Sequence, residues 1–230
     1  MTALLELDAV EASYGPFRSL FGVTLRVQAG RAVALLGANG AGKTTVARVC
    51  TGLIVPTSGS VRFDGHDLTG QRAFRFARRG IVHAVEGRSV FATLTVEENL
   101  TLSIGRSRQR REVTEFVAQA YDLFPRLGER RRQIAGTLSG GEQRMLSLAS
   151  VIVDRPRLLV ADELSLGLAP IIVDEVYATL ARIREAGTTL LIVEQHVSHA
   201  LAIADDAVIL EKGSVAYSGP AAEARNVVDL

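Results

Sequence analysis

Eight residues, Gly37-Ala-Asn-Gly-Ala-Gly-Lys-Thr44, constrain the fold of this chain more than any other feature. They follow a short apolar run, Ala32–Leu36, that reads as a buried strand. They precede Thr44–Thr51, which reads as a helix closed by Gly52. The spacing is G-x-x-x-x-G-K-[ST]. Glycines allow successive main-chain N–H groups to turn toward an anion with no side chain in the way. The helix start adds its positive dipole end. Lys43 is one of two lysines, beside 24 arginines. Its ammonium suits the β- and γ-phosphates of a nucleotide, a contact worth about 4 kcal/mol per unit charge at an effective dielectric near 20. Thr44 is placed to offer its hydroxyl to Mg²⁺. Gly37, Asn39, Gly40, Ala41, Gly42 and Thr45 complete the expected cradle, with Asn39 tolerating a left-handed backbone.

The surrounding pattern supports an α/β fold. Leu4–Tyr14 and Leu20–Val27 alternate apolar and polar residues about GPFRS and read as an antiparallel pair. Ser58–Gly65 reads as a strand and turn, Arg72–Arg79 as a basic helix and Gly80–Val85 as a strand. From Thr95 to Val153 helical periodicity takes over and arginines cluster. Strand character returns at Arg157–Ala161 and Thr188–Val193. Between them runs a helix, Ala169–Ala186, closed by Gly187. A short helix, Val197–Ala204, and a hairpin around Lys212-Gly213 end the readable pattern. Buried strands alternating with helices imply a mainly parallel sheet. The expected division is a core of residues 1–86 and 154–230, with a helical subdomain, 87–153, inserted in it.

Two further stretches carry chemistry. Leu158-Leu-Val-Ala-Asp-Glu163 sets two carboxylates at the C-terminal end of a buried strand, where parallel sheets collect ligands. Asp162 is expected to hold Mg²⁺. Glu163 is expected to orient and polarise an attacking water, an effect worth about 10²–10⁴-fold. Leu138-Ser-Gly-Gly-Glu-Gln143 opens a helix, with Ser139 and Glu142 at capping-box spacing. The cap does not explain Gly140 and Gly141, which weaken a helix start but leave main-chain N–H groups bare for a second anion.

Together these motifs resemble the ATP-binding cassette (ABC) family of transporter ATPases. GANGAGKT is similar to its Walker A loop, LSGGEQ to its signature and LLVADE to its Walker B strand. The resemblance implies a P-loop NTPase core that binds ATP and Mg²⁺. It also implies a head-to-tail dimer, in which Ser139, Gly140, Gly141 and Glu142 face the nucleotide held by a second ATPase subunit, identical or paralogous. Tyr14 falls where the family stacks an aromatic on adenine. Glu86 falls at the Q-loop position as a metal-site residue. Gln195 falls at the switch position, a contact for the γ-phosphate that does not titrate near neutrality. Leu164 replaces the usual proline, and Ser165–Leu168 lacks the usual aspartate.

EGRSVFATLTVEENL, DLFPRLGERR, SLGLAPII and VEQ are similar to the ATPase subunits of branched-chain amino-acid importers. Urea or amide importer subunits are a competing match. A regulatory ATP-binding subunit with little turnover, or an ABC ATPase acting on DNA or ribosomes, are the other readings. The resemblance implies permease partners docked near Glu86–Leu94, a solute-binding protein acting indirectly, and a peripheral place on the cytoplasmic face of the membrane. The net charge of +1 advertises no nucleic-acid partner. Cys50 is the sole cysteine, which excludes an internal disulfide.

Overall fold

The computed structural model describes residues 3–85, 90–103, 110–152, 156–195 and 197–228. The alternating N-terminal pattern forms the expected antiparallel pair, β1 (Ala3–Tyr14) and β2 (Phe17–Gln28). The tight turn between them sets Tyr14 opposite Phe17. Next come β3 (Ala32–Leu36), α1 (Lys43–Cys50), β4 (Ser58–Phe63), β5 (His66–Asp67) and then a short helix α2 (Ala73–Arg78). A four-stranded antiparallel sheet results, in the order β2-β1-β4-β5.

A second sheet carries the site. It adds β6 (Ile81–Val85), β7 (Leu158–Asp162), β8 (Thr189–Glu194), β9 (Asp206–Glu211) and β10 (Ser214–Pro220) to β3. The order is β10-β9-β3-β8-β7-β6. β3 runs parallel to both β8 and β9, and β7 parallel to β8, while β10 returns antiparallel. Every residue of β3, β7 and β8 is buried, as expected for strands covered on both faces.

The chain divides into two compact units. The first comprises residues 1–83, 157–163 and 181–230, and the second 84–156 and 164–180. Leu164–Leu180 thus groups with the second unit, where the sequence reading places it in the core. In the first unit α1 packs on β1 and β2 as well as on β7 and β8. Val46, Val49 and Cys50 fill that contact, and burial pushes the Cys50 thiol up to about 12, leaving it an inert packing group.

The second unit contains α3 (Val96–Ser103), α4 (Arg110–Leu123), α5 (Pro125–Glu129) and α6 (Gly140–Ile152), which pack together around Leu100, Leu127 and Leu146. Asn99, almost fully buried, accepts from Phe91 N (2.7 Å) and donates to Phe91 O (3.0 Å) and Thr95 O (2.9 Å). It pins the segment before α3. That helix has a capping box the sequence reading did not single out: Thr95 N donates to Glu98 Oε2 (2.7 Å) and Glu98 N to Thr95 Oγ1 (3.2 Å). No helix among the described residues is long and apolar enough to cross a membrane.

Candidate nucleotide-binding site

The loop between β3 and α1 turns back on itself through three left-handed residues: Gly37 (φ 151°), Gly40 (φ 79°) and Gly42 (φ 104°). Asn39 is not among the non-glycine residues of positive φ, so the left-handed backbone that it would tolerate is not used there. The glycines take all the strained positions, since only they have no Cβ to clash. A Cβ on Gly37 would also lie 2.5 Å from Leu210 O.

Lys43, 4% exposed, donates to Gly37 O (2.9 Å) and Ala38 O (3.2 Å). Its ammonium therefore closes the loop from inside, and its Nζ lies 3.8 Å from Glu163 Oε1. Glu163 adopts a left-handed backbone (φ 50°), a strain of about 1–3 kcal/mol for a residue with a Cβ. Its N–H is tied to Val193 O (2.9 Å) on β8. That conformation, one residue past the end of β7, brings its carboxylate to the loop.

Ser19, Gly40, Lys43, Thr44, Thr45 and Glu163 line one small cavity of about 150 Å³. Ser19 was absent from the expected set. Its Oγ lies 2.9 Å from Thr45 Oγ1. Only its position on a strand beside the loop signals it, which the sequence pattern does not encode. Tyr14, 44% exposed, has its hydroxyl 3.5 Å from Thr45 Oγ1 and accepts from Arg48 Nη1 (3.2 Å), so its ring stands at the edge of the same region. Asn39 and Gly40 are shared with a larger cavity, about 720 Å³, which Ala41, Gln195 and Leu210 also line. Gln195 borders this second space and not the smaller one.

Asp162, 6% exposed, ends β7. Its Oδ2 lies 3.4 Å from His83 Nε2, while its Oδ1 is buried with no hydrogen-bond partner among the described residues. An orphaned buried carboxylate oxygen is costly unless something completes it. Asp162 lines neither of the two cavities, whereas Thr44 lines the smaller one; both offer hard oxygen donors, the kind Mg²⁺ takes. Among the described residues no cluster of three or more His, Cys, Asp or Glu side chains could cage a metal. Mg²⁺ sites commonly use one or two carboxylates beside substrate phosphates, so this sparse set is no obstacle. Glu86, expected in the same set, lies outside the described residues.

In the second unit the expected capping box forms. Ser139 N and Oγ both donate to Glu142 Oε2 (2.9 Å each), and Glu142 N donates to Ser139 Oγ (3.3 Å). Those bonds, led by the Ser139 main-chain one, hold the Glu142 carboxyl below its usual range, with Arg130 Nε 3.1 Å away adding to the effect. Gly140 has open space around its missing Cβ, whereas one on Gly141 would come 3.1 Å from Ile172 Cγ2.

A family model described as ABC transporter matches residues 20–165, more than half of the chain. The chain is 41% identical over 212 residues to the "High-affinity branched-chain amino acid transport ATP-binding protein BraG" of Pseudomonas aeruginosa, covering 92% of this chain and 91% of that one. It is 34% identical over 221 residues to the "Probable branched-chain amino acid transport ATP-binding protein LivF" of Archaeoglobus fulgidus, covering 96% and 93%. Among solved structures, the ADP conformation of MJ1267, an ATP-binding cassette of an ABC transporter, matches with a TM-score of 0.86 at 25% identity, over 100% of this chain and 96% of that one. The loop, the acidic pair and the capped glycine helix start therefore sit on a P-loop α/β frame shared with those cassettes, and the chain belongs to the ABC transporter family of ATP-binding proteins.

Proposed function

We propose that this chain is the ATP-hydrolysing subunit of an importer for branched-chain or related amino acids. The observation that carries the hydrolytic reading is the convergence of Lys43, Thr44 and Glu163 on one small cavity. The choice of cargo rests on the near-full-length likeness to the two relatives named above.

In this reading the loop N–H groups and Lys43 hold the β- and γ-phosphates, and the Tyr14 ring stacks on adenine. Thr44 and Asp162, with Glu86, hold Mg²⁺. When bound, it neutralises charge on the β- and γ-phosphate oxygens. Glu163 accepts a proton from the attacking water, and Gln195 donates a hydrogen bond to the γ-phosphate. Phosphoryl transfer needs little else beyond positioning and electrostatic stabilisation. Ser139, Gly140, Gly141 and Glu142 act on the nucleotide held by a second ATPase subunit. The helical part within 87–153 docks on membrane permeases fed by a solute-binding protein. The subunit then sits peripherally on the cytoplasmic face, with the permeases providing the span.

Phosphate release by the purified chain with Mg·ATP tests the chemistry. Glu163→Gln lowers it about 10²–10⁴-fold while nucleotide binding persists. Equal turnover in the two proteins contradicts the role of Glu163. Recovery of a multi-span permease with the tagged chain, and stimulation of turnover by branched-chain amino acids in the reconstituted importer, test the transport reading.

A further inference from the structure

His83 is a polar residue in β6 that faces Asp162, and the proposed chemistry does not use it. Its side chain is 9% exposed and the Asp162 side chain 8%. Its Nε2 lies 3.4 Å from Asp162 Oδ2. On the far side its Nδ1 lies 3.5 Å from Thr51 Oγ1, and that hydroxyl donates to Ala47 O (2.9 Å), anchoring it to α1. An ionised carboxylate only accepts, so the hydrogen-bond network assigns the shared hydrogen to Nε2. The imidazole thus occupies one oxygen of Asp162 and leaves the other, Oδ1, buried and unpaired among the described residues.

We infer that His83 is a positioning residue for the metal site: it holds Asp162 Oδ2 so that Oδ1 is the oxygen presented to Mg²⁺. The inference rests on the proposed nucleotide site. A carboxylate without such a partner rotates freely about χ2 and can present either oxygen. One with a fixed second contact offers a single geometry, which suits a cation that demands near-ideal octahedral ligands. Outer-shell partners of this kind typically change metal affinity 10–100-fold when removed. The hydrogen bond here is long, so the effect belongs at the lower end, about tenfold.

The test reads metal binding, not turnover. Mn²⁺ is titrated into the ADP-loaded full chain and free Mn²⁺ is followed by electron paramagnetic resonance. ADP binding in EDTA is measured alongside by calorimetry. His83→Ala is expected to weaken Mn²⁺ binding about tenfold with metal-free ADP affinity unchanged. His83→Gln, which keeps an N–H donor, is expected to restore most of the loss. Unchanged Mn²⁺ affinity in His83→Ala overturns the inference while leaving the nucleotide site intact. A parallel loss of metal-free ADP binding, or no rescue by His83→Gln, also overturns it, reducing His83 to packing. Failure of the wild-type chain to bind ADP at all removes the nucleotide reading and the inference together.

Discussion

Two glycine-rich helix starts in this chain look alike in sequence and differ in construction. In GANGAGKT the glycines are required by the backbone, since Gly37, Gly40 and Gly42 all have positive φ. Lys43 fastens the loop through its own carbonyls. In LSGGEQ neither glycine has positive φ, and Ser139 and Glu142 close the helix start as a reciprocal cap. The first is therefore a complete cradle within one chain. The second is an ordinary, well-capped helix start with a bare surface at Gly140, suited to a ligand presented to it from outside.

That difference can be broken at several points. The largest effect is expected at Gly37→Ala, where a left-handed φ and a Cβ 2.5 Å from Leu210 O leave no room. Mg·ATP affinity falls by more than about 10²-fold by calorimetry, the loss of a network of charge-assisted bonds. Ser139→Ala is expected to lower turnover by about 10²-fold, the usual cost of one donor to a transition-state anion. The affinity of the isolated chain for ADP stays the same if Ser139 acts, as proposed, on the nucleotide of a second subunit. Glu142→Ala removes half of the cap and costs about 1 kcal/mol in chemical denaturation, again without changing ADP affinity.

The same carboxylate makes a pH prediction. Its folded pKa is depressed, so its contribution to stability is present above the unfolded value, about 4.3, and is lost as pH falls through the folded value. The stability gap between wild type and Glu142→Ala is therefore expected at pH 7 and narrows in acid. The smallest effect belongs to Gly140→Ala. With open space around the site, the helix gains up to about 1 kcal/mol, read as a small rise in Tm, and ADP affinity holds.

Much of this was legible because periodicity and turn chemistry are local. The β1–β2 pair, the all-apolar strand β3, the apolar run inside β8 and the three motifs are fixed by residues close in sequence. β5, two residues long, and the last helix, Ala221–Val228, lack enough pattern to declare themselves. Glu163 shows a second limit. Its strained backbone goes with a hydrogen bond to Val193 on the neighbouring strand, a partner far away in sequence that no local propensity reveals. Ser19 and His83 reach the site through strand neighbours far away in sequence, so spacing alone could not find them. For His83 a signal existed: an imidazole in an otherwise apolar strand, IVHAV, needs a partner.

The central claim is that the loop at 37–44 and its one ammonium form a polyphosphate cage. Calorimetric titration of Mg·ATP into the wild-type chain and into Lys43→Ala tests it most directly. Saturable one-site binding to the wild type, weakened at least about 10²-fold in a folded Lys43→Ala, is the predicted result. Indistinguishable isotherms for the two folded proteins would contradict it.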